Sequence, residues 1–146
     1  MNQRKMKCPQ MYQMPKSGKD RREEENISFS IAYLTKNKNY NFEHFGSSRL
    51  RDELEARKAL DELLQVLSCS SWMSILQRRK RDFGGVETLS ARAIHFTPSD
   101  GTVSEDEKYL SFRFFSQKYR LLGRKIGSVL YIVGFDFDYS AYNHGS

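Results

Sequence analysis

Apolar and polar positions alternate in the first ordered stretch of the chain, residues 27–34. Every second residue there is large and apolar: Ile27, Phe29, Ile31 and Tyr33. A period of two is typical of a strand with one buried face, so this stretch predicts the first strand. The preceding residues, 1–25, mix charged residues with Gln, Pro and Gly. We expect them to form a flexible basic arm ahead of a single domain that spans 26–146.

A stripe of leucines at helical spacing follows: Leu50, Leu54, Leu60, Leu63, Leu64 and Leu67. Charged residues fill the positions between them, which predicts an amphipathic helix of about five turns. Ser47 and Ser48 are its candidate N-caps, since a serine hydroxyl can accept a hydrogen bond from a first-turn amide. After a break at 68–71, the apolar Trp72, Ile75 and Leu76 predict the buried face of a second, shorter helix.

The last third of the chain has the patterns of strands. Residues 86–96 alternate loosely and 109–116 alternate clearly, with Ser111, Arg113 and Phe115 on the face opposite the apolar one. Residues 121–127 contain two glycines and predict a connection. The final run, 129–135, is apolar at nearly every position, as in a central strand that is covered on both faces.

Helical and strand-forming segments are therefore separated along the chain. This order favours an α+β fold, in which an antiparallel sheet of about four strands packs against a helical hairpin.

The charge is distributed unevenly. The formal net charge is +6 at pH 7, but residues 1–22 hold seven basic residues against Asp20 alone, and the rest of the chain is balanced. The surplus therefore belongs to the arm. A basic arm favours polyanions without sequence specificity, and a solubilising leader is the alternative interpretation.

Several functional classes are disfavoured. No apolar run approaches the roughly 20 residues of a membrane helix, and no hydrophobic stretch follows the basic N-terminus as in a signal peptide. Cys8 and Cys69 make neither a disulfide framework nor a zinc site, and His44 and His95 have no cysteine or carboxylate at ligand spacing. We therefore expect a cytoplasmic protein that needs no metal or other cofactor.

The segment 113–125 is the most informative for function, because its five basic residues have no acidic residue among them: Arg113, Lys118, Arg120, Arg124 and Lys125. Tyr109, Phe115 and Tyr119 are interleaved with these charges. Such a surface suits single-stranded RNA, whose phosphates bind cations and whose bases stack on rings. The alternative is that the rings are core and that the charges pair with the acidic residues 105–107.

Two groups of residues are accordingly predicted to bind nucleic acid. The first is Lys118, Tyr119, Arg124 and Lys125. The second is the basic run Arg78, Arg79, Lys80 and Arg81. This run also suits the negative end of a helix dipole, which leaves a structural role open.

The C-terminus offers two further candidates. Asp136 and Asp138 are two residues apart and share a face on a strand, where they could hold Mg²⁺ or supply a base. A solvated strand end, or an ion pair with Arg113 or Arg120, is the alternative. His144 is a candidate proton-transfer group, unless the chain end is loose.

The order of a strand, a long and a short helix, and then antiparallel strands resembles the small toxins of the RelE/ParE superfamily. The basic-aromatic strand Phe112-Arg113-Phe114 with Arg120, and the C-terminal Tyr139, Tyr142 and His144, are also similar to that family. The resemblance implies metal-independent cleavage of RNA by attack of a 2′-hydroxyl on the adjacent phosphate, and a cognate antitoxin as partner.

The same resemblance implies a role for each site residue. Arg113 and Arg120 would stabilise charge on the phosphate, His144 would act as acid or base, and Tyr139 or Tyr142 would orient the substrate. Two other functions stay open. One is a non-enzymatic small phage or mobile-element protein that binds nucleic acid or inhibits a host protein. The other is a metal-dependent nuclease that uses Asp136 and Asp138.

Overall fold

The computed structural model describes residues 26–46, 53–78, 85–99, 108–115, 118–138 and 140–142. The predicted arm (1–25), the candidate N-caps Ser47 and Ser48, and the acidic residues 105–107 lie outside the described residues.

Two helices occupy the middle of the chain. Helix α1 spans Glu53–Ser68 and helix α2 spans Trp72–Leu76. The predicted long helix is thus confirmed, and its buried stripe is Ala56, Leu60, Leu63 and Leu67. The prediction that Leu54 belongs to this stripe is wrong, because its side chain is exposed in the first turn of α1. The oxygen of Ser71 caps α2 by accepting a hydrogen bond from the amide of Ser74 at 3.1 Å. The prediction that Leu76 is buried with Trp72 and Ile75 is wrong, because α2 ends at Leu76 and leaves that side chain exposed.

Five strands form one sheet. They are β1 (Ser28–Ser30), β2 (Val86–Ser90), β3 (Lys108–Phe114), β4 (Tyr119–Ile126) and β5 (Val129–Asp136). Their order across the sheet is β1-β5-β4-β3-β2. β1 runs parallel to β5, and every other pair is antiparallel.

The fold class α+β is confirmed, whereas the expected antiparallel sheet of about four strands is corrected to a mixed sheet of five. One cause is the segment 121–127, which was expected to connect strands and is instead mostly the second half of β4. Gly123 is tolerated there because its missing side chain leaves room for Leu130 on β5. The other cause is β1, whose direction depends on the path of the chain through the helices.

Both faces of the sheet are covered, so the fold has three layers. The helices cover the first face, where Leu63, Leu67 and Trp72 pack with sheet residues such as Phe112 and Leu121. The second face is covered by irregular chain from 33–40, 91–99 and 140–142. The core on that side consists of Tyr40, Leu89, Ala91, Phe96, Tyr109, Leu122, Val133, Ala141 and Tyr142.

A bulge in β5 attaches this third layer to the sheet. The pairing of β4 with β5 shifts by one residue between Leu122 and Gly123, so that β5 has one extra residue at this point. At this point the backbone of β5 forms two hydrogen bonds with the irregular layer. The amide of Thr35 donates to the carbonyl of Val133 at 2.8 Å, and the amide of Phe135 donates to the carbonyl of Tyr40 at 2.8 Å.

Cys69 is buried and disulfide-bonded, and its bonding partner lies outside the described residues. Neither helix of the described residues has the length and apolar character that crossing a bilayer requires.

The contact of Gly134 with the third layer gives a first prediction. A Cβ at this position lies 2.5 Å from Cζ of Phe96 and 3.0 Å from the carbonyl oxygen of Tyr40. Gly134→Ala should therefore lower the free energy of unfolding by about 1–3 kcal/mol, as overpacking does. Urea denaturation measures the change. Adding Phe96→Leu should recover part of the lost free energy of unfolding. If the effects of the two substitutions on this free energy are strictly additive, the proposed clash is contradicted.

Candidate functional site

Three charged residues lie side by side on the second face of the sheet. Arg113 on β3 is paired directly with Arg120 on β4, and Arg120 is paired directly with Asp136 on β5. Directly paired residues of antiparallel strands share a face, with Cβ atoms about 4.5–5.5 Å apart. We call Arg113, Arg120 and Asp136 the polar row. Their sequence neighbours Phe112, Phe114, Leu121 and Phe135 point to the first core, which places the polar row on the second face.

The polar row is buried at one end and open at the other. Arg120 is 4% exposed and Asp136 is 1% exposed, whereas Arg113 is half-buried. Two guanidinium groups at paired positions repel each other, and the carboxylate on the far side of Arg120 offsets this repulsion. The two arginines share a face, but the expectation that both lie on a surface open to RNA is wrong for Arg120, which is buried next to Asp136. Arg113 is the more exposed of the two.

Tyr142 completes the cluster from the third layer. Its side chain is 1% exposed, and its hydroxyl lies 3.0 Å from Oγ of Ser111 in a hydrogen bond. Burial raises the pKa of Tyr142 above its ordinary value of 10.0, and the negative charge of Glu87 on β2 adds to this rise. The positive charge of Arg120 acts on the same hydroxyl and lowers its pKa, but by less. At neutral pH the phenol therefore keeps its proton, so Tyr142 can hydrogen-bond but does not act as a base.

The expectation of an exposed stacking ring at Tyr119 is not met. Tyr119 is 8% exposed, and its ring stacks on Phe115 at 4.9 Å between centroids. The cause is the alternation of β4, which turns Tyr119 to the first core. Phe115 does not lie on the face of Ser111 and Arg113 as expected, because β3 ends at Phe114 and Phe115 turns the chain with a φ of 53°.

The other predicted cations are dispersed. Lys118 is exposed in the turn between β3 and β4, with its Nζ 5.5 Å from the ring centre of Phe115, which packs against the first core. Arg124 lies further along β4, opposite Tyr131. Lys125 belongs to the helix side, because its Nζ lies 5.3 Å from the ring centre of Trp72. Arg78 follows α2 and is half-buried. The sheet therefore divides the basic segment between two faces.

The two carboxylates of the alternative metal site do not share a strand face. Asp136 ends β5 and is buried, whereas Asp138 follows the strand and is exposed. Oδ1 of Asp136 accepts hydrogen bonds from the amides of Asp138 at 3.3 Å and of Ser140 at 3.1 Å. Among the described residues, no three His, Cys, Asp or Glu side chains form a group that could hold a metal ion. Asp136 thus anchors the turn into the C-terminal segment 140–142.

Five further predicted site residues lie outside the described residues: Tyr139, His144, Arg79, Lys80 and Arg81. Their roles stay predictions.

Sequence reasoning missed two polar neighbours of Tyr142. Ser111 was placed correctly on the face of Arg113 but was not identified as a partner of Tyr142. Glu87 is paired directly with Ser111. The alternation of β3 contained the first signal, since a serine between Leu110 and Phe112 lies on the face of Arg113. Nothing in the sequence indicated that β2 would lie beside β3 in the register that brings Glu87 to Ser111.

The burial of Tyr142 predicts a specific pH dependence of stability. A group whose pKa is raised in the folded protein contributes stability below its unfolded pKa, and that stability is lost as pH rises through the folded pKa. The free energy of unfolding should therefore fall more steeply above pH 10 in the wild type than in Tyr142→Phe. At pH 7 the variant should be less stable by about 1 kcal/mol, because it lacks the bond to Ser111. Urea denaturation across this pH range tests both expectations. If the free energies of unfolding of the two proteins change in parallel with pH, the predicted pH dependence is refuted.

No protein-family model matches the chain, and neither a curated protein nor a solved structure shows significant similarity to it. The function must therefore be inferred from the side chains themselves.

Proposed function

We propose that this protein is a toxin-like, metal-independent endoribonuclease that acts at the open end of the polar row. The observation that carries the proposal is the direct pairing of Arg113 with Arg120, on the face where the Tyr142 hydroxyl bonds Ser111. Two like charges at paired positions oppose folding. Such local conflicts are expected at functional sites, where an anionic ligand can relieve them.

The two arginines take different roles in this proposal. Arg113 reaches solvent and binds the phosphate, because a planar guanidinium can contact two phosphate oxygens at once. Arg120 is buried between Arg113 and Asp136, so it positions Arg113 and Tyr142 rather than contacting RNA. This assignment revises the equal roles that the resemblance to RelE/ParE toxins implies.

In the reaction, the 2′-oxygen of RNA forms a bond to phosphorus and the bond from phosphorus to the 5′-oxygen breaks. One proton leaves the 2′-hydroxyl and another reaches the 5′-oxygen. Arg113 stabilises the extra negative charge that develops on the phosphate. Tyr142 keeps its proton and serves as a hydrogen-bonding group that holds the site in place. His144 remains the predicted acid or base of the C-terminus.

RNA is the proposed substrate, and a cognate antitoxin that masks the basic face is the proposed protein partner. Lys118 is exposed in the turn between β3 and β4 and adds a cation near the strand ends, and the basic arm adds affinity that is independent of sequence. We place the protein in the cytoplasm, where mRNA is available. The disulfide of Cys69 opposes this placement, since disulfides persist mainly in oxidising compartments.

One observation favours a second candidate, a non-enzymatic phage or mobile-element protein that binds nucleic acid or inhibits a host protein. Arg120 and Asp136 are nearly inaccessible and of opposite charge. A buried pair of this kind also occurs as a purely structural element that defines the arrangement of strands. In that case the protein binds RNA without cleaving it.

An RNase assay on single-stranded RNA distinguishes the two candidates. Arg113→Gln should reduce the cleavage rate by about 10²–10³, the usual cost of losing one charge-stabilising donor. Arg57→Gln is the matched control, because Arg57 is an exposed arginine on α1, a helix of the opposite layer, and should leave the rate unchanged. EDTA should have no effect. If wild type, Arg113→Gln and Arg57→Gln are equally inert, the protein is not this enzyme.

The contribution of the arm is tested by deletion of residues 1–22. The truncated chain has no net formal charge. If the folded face carries the specific contacts, cleavage by the truncated protein should persist, while the salt dependence of RNA binding weakens as phosphate contacts are lost. Filter binding at a series of salt concentrations measures this. Complete loss of binding would assign recognition to the arm alone.

A further inference from the structure

His95 is held in one tautomer by the C-terminal segment. Its Nδ1 lies 2.8 Å from the carbonyl oxygen of Ser140, and its backbone amide donates to the carbonyl of Ala141 at 2.7 Å. A carbonyl oxygen only accepts hydrogen bonds, so Nδ1 of the neutral ring carries the proton. The lone pair is then on Nε2. The side chain of His95 is exposed, so solvent and a ligand can reach it.

The same segment joins His95 to the polar row. Ser140, whose carbonyl accepts from His95, donates its amide to Oδ1 of Asp136 at 3.1 Å. The neighbour of His95, Ile94, forms an isolated antiparallel bridge with Tyr142. His95 therefore sits at the corner of the third layer that also contains Tyr142 and the C-terminal end of β5.

We propose that His95 is the proton acceptor of this site, a role that rests on the proposed RNA cleavage. Its Nε2 takes the proton of the attacking 2′-hydroxyl while the 2′-oxygen bonds to phosphorus. The 5′-oxygen leaves and takes a proton from water, and the imidazolium later returns its proton to solvent. The products are a 2′,3′-cyclic phosphate and a 5′-hydroxyl end.

The other described groups near this corner are less suited to accept the proton. Tyr142 and Asp136 are buried, and the hydroxyl of Tyr142 is already hydrogen-bonded to Ser111. Oδ1 of Asp136 is engaged by two backbone amides. A histidine whose Nδ1 is oriented by an acceptor is the usual arrangement of a general base.

The test compares His95→Asn and His95→Ala with wild type in the full-length chain. The side-chain amide of asparagine can still donate to the carbonyl of Ser140, but asparagine lacks an equivalent of Nε2. Both variants should bind a single-stranded RNA with wild-type affinity and cleave it about 10²–10⁴ times more slowly, the range typical of positioned proton transfer. Thermal unfolding verifies that each variant is folded.

The outcomes separate the two proposals. If wild type cleaves and His95→Asn cleaves equally well, His95 is at most a positioning residue and this inference is overturned, while the endoribonuclease proposal stands. If wild type does not cleave, the endoribonuclease proposal fails, and the role of His95 fails with it.

Should His95→Asn not fold, diethylpyrocarbonate on the wild type replaces it, with mass spectrometry to locate the modified histidine. Modification at His95 that abolishes cleavage supports the proposal, and modified protein with full activity overturns it.

Discussion

The burial of β5 on both faces is the constraint on which the rest of this structure depends. Leu130 and Ile132 pack toward the helices, and Val133 packs toward the third layer. A strand covered in this way must bond neighbours on both edges, since an unpaired buried amide costs about 1–3 kcal/mol. β4 supplies one edge. β1 and then the segment 35–40 supply the other. Because of the bulge opposite Leu122, β5 contributes side chains to both cores and keeps its backbone hydrogen bonds on both edges.

The polar row is a consequence of this central position. Because β4 pairs with β5, Arg120 meets Asp136, and because β3 pairs with β4, Arg113 meets Arg120. Burying a guanidinium is costly unless a charge and hydrogen bonds compensate it. The carboxylate of Asp136 is paired with Arg120 across the strands, and the carbonyl of Tyr119 accepts a hydrogen bond from Arg120 at 3.1 Å. The fold itself therefore supplies the groups that compensate the buried charge of Arg120.

The C-terminal segment connects the candidate chemistry to the sheet. The carbonyl of Ser140 accepts a hydrogen bond from the ring of His95, and the amide of Ser140 donates to Asp136. The hydroxyl of Tyr142 forms a hydrogen bond with that of Ser111. One short stretch of chain therefore holds an imidazole, a phenol and a carboxylate relative to one another. Loss of this stretch from the sheet would separate the groups, so in this protein the function proposed and the packing of the third layer are coupled.

Local patterns were sufficient for the amphipathic α1, for the alternation of Ser111 and Arg113 on β3, and for a doubly buried β5, because each depends on periodicity along a single segment. They were not sufficient for the parallel pairing of β1, the burial of Tyr119 or the pairing of Glu87 with Ser111. Periodicity specifies which side chains share a face, but not which strand lies beside it. His95 shows the same limit: nothing near it in sequence suggests chemistry, and its hydrogen-bond partner is 45 residues away. Only the folded chain brings that carbonyl to the ring, because strand pairing and core packing act between segments that are distant in sequence.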